Sequence, residues 1–348
     1  MWSLRKIAVA VVGATGAVGE ELLSLLASRS LPLAKVLPLA SKETLGESVS
    51  FGEDELEVQS LDKNSFSGID LVFFCTTDAV SKEYVPIAVR AGACVIDCSD
   101  AFRHDANCPL VVPEVNPEDL VMHKGIIVSP KSLSIALALV LHPLHEVASL
   151  KRCIVTALQS VSGAGKAGIH ELEHQVRDLM NMREIERAVF PHQIAFNLVP
   201  ETSPFLDNDY TRDEVAIADE MHRLFQDDNI AMTATSVRVP VFFSHALSVN
   251  VEFAKAISSK EARALLVQAS GVHVLDNPRA GLYPTSIDAG AEDDVFVGRI
   301  RDDTSLDNAL NLWIVGDNLR KGSALNCVQI LEELLARGLL KRQTYSAK

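Results

Sequence analysis

The sequence predicts a two-domain α/β protein, with a doubly wound parallel sheet of the Rossmann type followed by a second, mixed α/β domain. The chain has 348 residues, enough for about two domains of ordinary size. In the N-terminal third, short apolar runs alternate with segments of helical periodicity, a pattern typical of parallel strands joined by helices. After about residue 130 this alternation gives way to a less regular mixture of strands and helices, which indicates a second domain.

The elements of the first domain follow from apolar periodicity. Residues 7–12 form a continuous apolar run, as expected of a strand that is covered on both faces. Further strands are predicted at 36–40, 70–74 and 94–97, and helices at 20–28 and 81–91.

In the second domain we predict strands at 153–160, 233–241, 247–254 and 294–300, and helices at 134–147 and 260–270. A glycine-rich bend at 162–168 opens another helix. The final helix, 323–337, precedes Gly338, a residue type that favours a helix C-terminus. We therefore expect a dinucleotide-binding domain at 1–131 and a substrate and dimerisation domain at 132–322. The C-terminal segment, 323–348, is expected to pack back on the first domain.

Composition and charge narrow the classes of function. The formal net charge of −14 repels phosphate backbones, so we expect neither a nucleic-acid nor an anionic-membrane partner. The longest apolar stretch, 135–141, is far shorter than the roughly 20 residues that cross a bilayer. The six cysteines form no C-x-x-C pair, which favours reduced thiols and a cytoplasmic protein.

The segment between the first strand and the first helix predicts a dinucleotide-binding loop. Glycines permit the tight turn and let a pyrophosphate approach the backbone N–H groups at the helix N-terminus. A tight strand–helix turn that binds nothing is the alternative interpretation of the same glycines. The candidate cofactor-binding residues of this loop are Gly13, Thr15, Gly16, Ala17, Val18 and Gly19.

Seven collinear segments, spread over nearly the whole chain, resemble the aspartate-semialdehyde dehydrogenase family. They are the glycine loop at 11–19, Ala101-Phe102-Arg103, 109–116, 159–165, 237–241 with His245, 296–301 and 317–319. The resemblance implies the two-domain fold, a homodimer, and NAD or NADP as cofactor. It also implies a small amino-acid or phosphate-like ligand.

The family's chemistry suggests a role for each matching residue. In the family a cysteine thiolate attacks the aldehyde, a histidine handles the proton, hydride passes to NADP, and phosphate opens the thioester. By resemblance, His245 is the acid–base residue and Gln159 orients the acyl group. The implied substrate-binding residues are Arg238 for the carboxylate, Glu220 for the amino group, and Arg103 and Arg223 for phosphate.

The chain departs from the family pattern at the nucleophile. Residues 129–134 read Ser-Pro-Lys-Ser-Leu-Ser, where the family has Asn-Pro-Asn-Cys-Ser-Thr, so Ser132 stands in the cysteine's place. A serine hydroxyl is a weak nucleophile unless a base activates it. We therefore expect a pseudoenzyme similar to the Usg group of dehydrogenase-like proteins, which binds a ligand or partner without the standard activity. The alternative is an active NAD(P)-dependent semialdehyde oxidoreductase of amino-acid biosynthesis that uses another nucleophile, for which Cys98 is the candidate.

The cofactor site also departs from the family pattern. Glu43 replaces the arginine that would pair with the 2′-phosphate of NADP, so NAD is favoured. Thr77 and Asp78 stand where the family has small residues, and we expect them to crowd a bound cofactor, whose binding they could abolish.

One metal-binding pattern occurs outside these segments. Residues 170–174 match the H-E-x-x-H zinc motif, but the apolar face of that helix places His170 and His174 toward solvent. We therefore expect no metal site there.

Overall fold

The computed structural model describes residues 6–41, 44 and 46–340. Within these residues the chain divides into two compact units, with boundaries after Pro130 and after Gly322. The segment from Ser323 onwards belongs to the first unit. No helix in the described ranges is long and apolar enough to span a membrane.

The strands and helices follow in chain order. The first unit contains β1 (Ile7–Val12), α1 (Ala17–Ser28), β2 (Leu33–Ala40), β3 (Ser48–Phe51), β4 (Asp54–Glu57), β5 (Gln59–Ser60), β6 (Leu71–Phe74), α2 (Asp78–Arg90), β7 (Cys94–Asp97) and β8 (Ile126–Val128). The second contains α3 (Ser132–Ala148), β9 (Leu150–Gln159), α4 (Gly165–Met180), α5 (Arg212–Phe225), β10 (Ala231–Arg238), β11 (His245–Phe253), α6 (Ser259–Leu266), β12 (Val272–Val274), β13 (Val295–Asp302) and β14 (Ala309–Gly316). The last helix, α7 (Leu325–Ala336), belongs to the first unit.

The main sheet of the first unit has six strands in the order β5-β2-β1-β6-β7-β8, and every neighbouring pair is parallel. Apolar residues of α1 and α7 pack on one face and those of α2 on the other. This arrangement confirms the predicted doubly wound parallel sheet. Because β2 and β6 lie on opposite sides of β1, the carboxyl ends of β1 and β6 border the crevice where such folds bind ligands.

The main sheet of the second unit also has six strands, in the order β10-β9-β11-β14-β13-β12. The pairs β9–β10 and β12–β13 are parallel, whereas the three central pairs are antiparallel. The long helix α3 packs on this sheet and is buried over most of its length. The predicted mixed α/β domain is therefore confirmed.

Some element boundaries differ from the prediction for identifiable reasons. Helix α1 begins at Ala17 rather than at residue 20, because Gly19 packs inside the first turn instead of preceding the helix. Strand β10 ends at Arg238 rather than at residue 241, since Pro240 has no N–H to continue the ladder. The prediction missed α5, the β3–β4 hairpin, and strands β5, β8, β12 and β14. Two of these had a strong local signal: α5 has the capping box that its N-terminus forms, and β14 has the apolar run at 312–315.

The end of α7 agrees with the predicted glycine C-cap. Gly338 has a φ of 65°, in the left-handed region that favours glycine. The Leu339 N–H donates to the Leu334 carbonyl at 2.8 Å, the bond that characterises this type of helix end. Helix α7 itself begins at Leu325 instead of residue 323, because residues Arg320–Ala324 form a π-helical turn.

Candidate active site

The loop between β1 and α1 is closely packed against the backbone around it. Gly13 has a φ of +85°, and a Cβ at this position would lie 2.2 Å from the Cys75 carbonyl oxygen. A Cβ on Gly19 would lie 2.1 Å from the Gly13 carbonyl oxygen. Neither glycine can therefore carry a side chain unless the backbone moves, which is the packing that a dinucleotide-binding turn requires.

The remaining predicted cofactor residues form the N-terminus of α1. Thr15 lies in the turn, Gly16 is the N-cap, and Ala17 and Val18 are the first helical residues. The first N–H that donates within the helix is that of Glu20, to the Gly16 carbonyl at 2.9 Å. The N–H groups that precede it, together with the helix dipole, suit the pyrophosphate of a dinucleotide. Glu43 lies outside the described residues.

Thr77 and Asp78 form the N-terminus of α2, with Thr77 as its N-cap. The Asp78 carboxylate accepts a hydrogen bond from the Asp100 N–H at 2.9 Å, so it joins this helix to the segment after β7. The expectation that these two side chains crowd a cofactor stays a prediction.

Arg103 is buried in the first unit, where its guanidinium donates to one carboxylate and three backbone carbonyls. Its Nε donates to the Asp100 carboxylate at 2.9 Å, and its Nη1 to the Ser129 carbonyl at 3.3 Å. Nη2 donates to the carbonyls of Cys98 and Ser99, both at 3.2 Å. These bonds hold together the loops that follow β7 and β8. Its role as a phosphate ligand stays a prediction.

In the second unit, sheet register brings three of the predicted residues to one edge. Gln159 and Arg238 are the paired last residues of the parallel strands β9 and β10. His245 is the first residue of β11, which runs antiparallel to β9. The carboxyl ends of two strands and the amino end of a third thus coincide, and all three side chains are buried.

The hydrogen bonds of His245 determine its tautomer. The Ser160 N–H donates to Nδ1 at 3.1 Å, and since a backbone N–H can only donate, Nδ1 carries no proton. The remaining nitrogen, Nε2, therefore carries it. Burial, with a smaller contribution from Arg238, lowers the pKa of His245 to about 3. At neutral pH this side chain is an uncharged imidazole that presents an Nε2–H donor.

Asn318 organises the backbone and hydroxyl groups behind His245. Its Oδ1 accepts from the Ser160 Oγ at 3.1 Å, the Ser162 Oγ at 3.0 Å and the Ser244 N–H at 3.1 Å. The Ser160 Oγ also lies 3.1 Å from the His245 Nδ1. One amide oxygen thus holds the two segments that flank the imidazole.

Arg238 is a buried cation that keeps one donor without a partner. Its Nη1 donates to the Ser160 carbonyl at 2.8 Å and its Nη2 to the Thr202 carbonyl at 3.3 Å. Within the described part of the chain, its buried Nε has no hydrogen-bond partner. Burial lowers the pKa of Arg238 to about 10, opposed by Asp213, so the side chain is still charged at neutral pH.

Gly163 packs closely against both groups. A Cβ at this position would lie 2.6 Å from the Arg238 Nη1 and 3.4 Å from the His245 Nε2. The imidazole Nε2 and the guanidinium Nη1 therefore both lie against Gly163. A carboxylate or an oxyanion that reached these two groups would meet a cation and a neutral N–H donor.

The N-terminus of α3 forms the other part of the site. Ser132 is the first residue of the helix and packs against Gly322, where a Cβ would lie 2.6 Å from the Ser132 Cβ. The N–H of Lys131, the N-cap, donates to the buried Glu220 carboxylate at 3.0 Å. The Lys131 ammonium pairs with Asp213 at 3.1 Å.

Asp213 and Thr202 connect this helix end with the strand edge. Burial alone would raise the pKa of Asp213, but Lys131, Thr202 and Arg238 together lower it below its ordinary value. The Thr202 hydroxyl also accepts from the Gln159 side chain at 3.3 Å. Thr202 and Asp213 were not among the sequence candidates, because nothing local distinguishes them from other polar residues. Asn318 lies in the matching segment 317–319 but was given no role.

The remaining predicted residues lie on helices α4 and α5. Arg223, half-buried, lies in the last turn of α5, one turn after Glu220. His170 and His174 are exposed, which confirms the solvent-facing helix surface. Glu171 of that motif is buried and accepts from the Ala188 and Val189 N–H groups, so it anchors the loop after α4. In the described ranges, no group of three or more His, Cys, Asp or Glu side chains is suited to a metal ion.

Two family models match most of the chain. Residues 8–123 match the NAD-binding domain of semialdehyde dehydrogenases, and residues 141–321 match the dimerisation domain of semialdehyde dehydrogenases.

Whole-length relatives give the same result. The chain is 46% identical over 340 residues to an aspartate-semialdehyde dehydrogenase from Legionella pneumophila, covering 97% of this chain and 98% of the relative. It is 42% identical over 334 residues to an aspartate-semialdehyde dehydrogenase from Synechocystis sp., covering 96% and 99% of the two chains. Among solved structures it is similar to aspartate semialdehyde dehydrogenase II from Vibrio cholerae complexed with ASA. That match has a TM-score of 0.93 and 40% identity, and covers 96% and 99% of the two chains.

Proposed function

Because the chain belongs to the aspartate-semialdehyde dehydrogenase family, we propose that it binds a short amino-acid ligand of that family without performing the standard phosphorylating oxidation. In this proposal it is a homodimer of the Usg type, with residues 1–131 as the nucleotide-binding domain and 132–322 as the ligand-binding and dimerisation domain. The match to a dimerisation domain supports the homodimer. The observation that carries the ligand assignment is the buried Arg238 cation, whose Nε has no hydrogen-bond partner among the described residues.

The pocket chemistry favours a ligand with a carboxylate. Arg238 is cationic, buried, and retains an Nε–H without a partner among the described residues. A carboxylate is the acceptor that matches a guanidinium edge, and burial strengthens the interaction. Glu220 is the candidate partner for a ligand amino group, and Gln159 for its second carbonyl group. An α-amino acid with a short side chain presents all three groups together.

The same site does not provide a nucleophile for the standard reaction. Cys153 is the only cysteine in residues 131–322, and it is fully buried in β9. Burial raises the pKa of its thiol to about 12, so it is not a thiolate at neutral pH. Ser132 occupies the start of α3, where a thiolate would be stabilised by the helix dipole.

His245 does not activate a serine in place of the thiol. A general base must accept a proton, but the nitrogen that lies against Gly163, Nε2, already carries one. Its other nitrogen is occupied by the Ser160 N–H. His245 is therefore suited to donate to an oxyanion, and not to deprotonate the Ser132 hydroxyl. An unactivated hydroxyl supports neither aldehyde attack nor transfer of an acyl group to phosphate at useful rates.

The glycine loop supports binding of NAD or NADP in the first domain. The backbone of Gly13 to Gly19 would hold the pyrophosphate, and the bound nicotinamide would supply hydride acceptance in an active relative. We propose a preference for NAD, because the carboxylate of Glu43 would repel a 2′-phosphate.

Two measurements on the purified protein test this function. Calorimetric titration with L-aspartate should show binding, and Arg238→Gln should abolish it while the variant remains folded. Phosphate-dependent oxidation of aspartate semialdehyde, assayed with NAD and with NADP, should show no turnover above blank. Absence of aspartate binding would refute the ligand assignment, whereas robust NAD(P)H formation would refute the loss of activity.

A second candidate function is an active oxidoreductase that uses Cys98. The observation that favours it concerns the thiol of Cys98. Hydrogen bonds with Cys327 and Cys75 lower the pKa of this thiol well below its usual range. Replacement of Cys98 by Ser should then abolish turnover, while unchanged turnover would exclude that thiol as the nucleophile.

A further inference from the structure

Three of the six cysteines meet in the first unit. Cys75 and Cys98 each directly follow a strand, β6 and β7, and these strands are parallel neighbours. Cys327 lies in the first turn of α7, 229 residues from Cys98 in the chain. The Sγ atoms of Cys98 and Cys327 are 3.1 Å apart, and the Cys75 thiol is hydrogen-bonded to Cys98.

The three sulfurs do not share one protonation state. Hydrogen bonds from Cys327 and Cys75 lower the pKa of Cys98, and Arg103 adds a smaller stabilisation of its thiolate. The same contacts raise the pKa values of Cys75 and Cys327, which remain thiols. The contacts therefore favour the ionised form at Cys98 and the protonated form at Cys75 and Cys327.

Access separates two of the three clustered sulfurs from the third. Cys75 and Cys98 are both partly exposed, whereas Cys327 is completely buried. Three further cysteines, Cys94, Cys108 and Cys153, are buried outside the cluster. Burial raises the pKa values of Cys94 and Cys153 to about 12. Of the two partly exposed sulfurs, Cys98 is the one whose ionised form is favoured by its contacts, and the Cys327 sulfur lies 3.1 Å from it.

We propose that Cys98 and Cys327 form a peroxide-sensitive dithiol site, in which Cys98 is the reactive sulfur and Cys327 the resolving one. The co-reactant is a hydroperoxide, with hydrogen peroxide as the simplest member of that class. The Cys98 thiolate attacks one peroxide oxygen, the O–O bond breaks, and the leaving hydroxide takes a proton from a neighbouring thiol to become water. Cys98 is now a sulfenic acid.

In the second step the Cys327 sulfur attacks the Cys98 sulfur, an S–S bond forms, and the S–O bond breaks with loss of a second water. Two thiols have lost two electrons in total, and one peroxide has gained them. The resulting disulfide links the end of β7 to α7. It also lies next to Cys75, whose carbonyl oxygen is packed against Gly13 of the glycine loop.

This inference is independent of the proposed function, since it requires neither a ligand in the second unit nor turnover. The folded full-length protein is treated with a small excess of hydrogen peroxide. Remaining thiols are then alkylated, and the protein is digested without reductant for peptide mass mapping. We expect one disulfide between the Cys98 and Cys327 peptides, reversed by dithiothreitol, while Cys94, Cys108 and Cys153 remain alkylatable. Because wild-type protein is mapped, this result does not depend on any variant folding.

Variants separate the two steps. Cys327→Ser should stop at a Cys98 sulfenic acid, which dimedone traps, and Cys98→Ser should form neither that adduct nor the disulfide. Cys75→Ser is the matched control, and it should still form the Cys98–Cys327 bond. Reaction at Cys98 should be at least about tenfold faster than at Cys94, as its lower pKa requires.

Three results would overturn the proposal. They are a disulfide that maps to Cys75, equal oxidation of all six cysteines, and a Cys98 that alkylates fully after peroxide treatment.

Discussion

Replacement of Gly163 by alanine tests the ligand pocket with one added methyl group. Gly163 does not have a positive φ, so alanine is compatible with its backbone. The new Cβ would lie 2.6 Å from the Arg238 Nη1, and ordinary contacts begin near 3.4 Å, so the guanidinium must retreat by about 0.8 Å. That shift breaks or distorts the 2.8 Å bond to the Ser160 carbonyl and moves the guanidinium out of the position in which it would meet a ligand carboxylate.

The expected loss is that of one charge-assisted hydrogen bond. Such a bond is worth about 1.5–3 kcal/mol, so the Kd for L-aspartate should rise roughly 10- to 150-fold. Calorimetric titration of the wild type and the variant measures this change directly, and thermal unfolding verifies that the variant is folded.

Gly290→Ala is the matched control in the same unit. Gly290 also lacks a positive φ, and its Cβ would meet nothing closer than the Ile287 carbonyl oxygen at 3.5 Å, an ordinary contact. This variant should bind L-aspartate as the wild type does. A folded Gly163→Ala protein with wild-type affinity would refute the placement of the ligand between Arg238 and His245.

Three further predictions concern the nucleophile position, the imidazole and the residue that holds it. Ser132→Cys should not reach the turnover of the Legionella relative, because Lys131 and the altered cofactor loop are still present; matching rates would contradict this expectation. The folded pKa of His245 is about 3, below the usual value of 6.5, so its contribution to stability is complete above pH 6.5 and is lost as the pH falls toward 3. The difference in unfolding free energy between wild type and His245→Gln, measured with denaturant, should therefore shrink by about 3 kcal/mol between pH 7 and pH 4.5. A difference that does not change with pH would disprove the buried neutral state. Asn318→Ala removes one acceptor of the Ser160 and Ser162 hydroxyls and of the Ser244 N–H, and should lower the free energy of unfolding by about 1–3 kcal/mol. A loss below about 0.5 kcal/mol would show that water or the neighbouring hydroxyls replace the amide.

The parallel sheet and the glycine loop were predictable because their signals are local. A covered parallel strand needs a continuous apolar run, and residues 7–12 provide one that became β1 without a shift. The turn after it needs glycines where backbone segments touch, and Gly13 and Gly19 meet that need within seven residues. The resemblance also predicted Gln159, Arg238 and His245 as a group, and the sheet register places them at one edge. Thr202 and Asp213 escaped prediction, because their importance comes only from the charges and carbonyls that surround them.

By itself, the sequence determined the fold class, the two-domain plan, and the presence of a hydroxyl at position 132, because composition and periodicity act over a few residues. The tertiary structure decided the proton position on His245, the open donor of Arg238 and the contact between Cys98 and Cys327. Each of these depends on atoms that folding brings together from distant positions in the chain. Ser160 and His245 are 85 residues apart in the sequence, and Cys98 and Cys327 are 229 residues apart. Protonation and reactivity respond to burial and to neighbouring charges, and both exist only once the chain has packed.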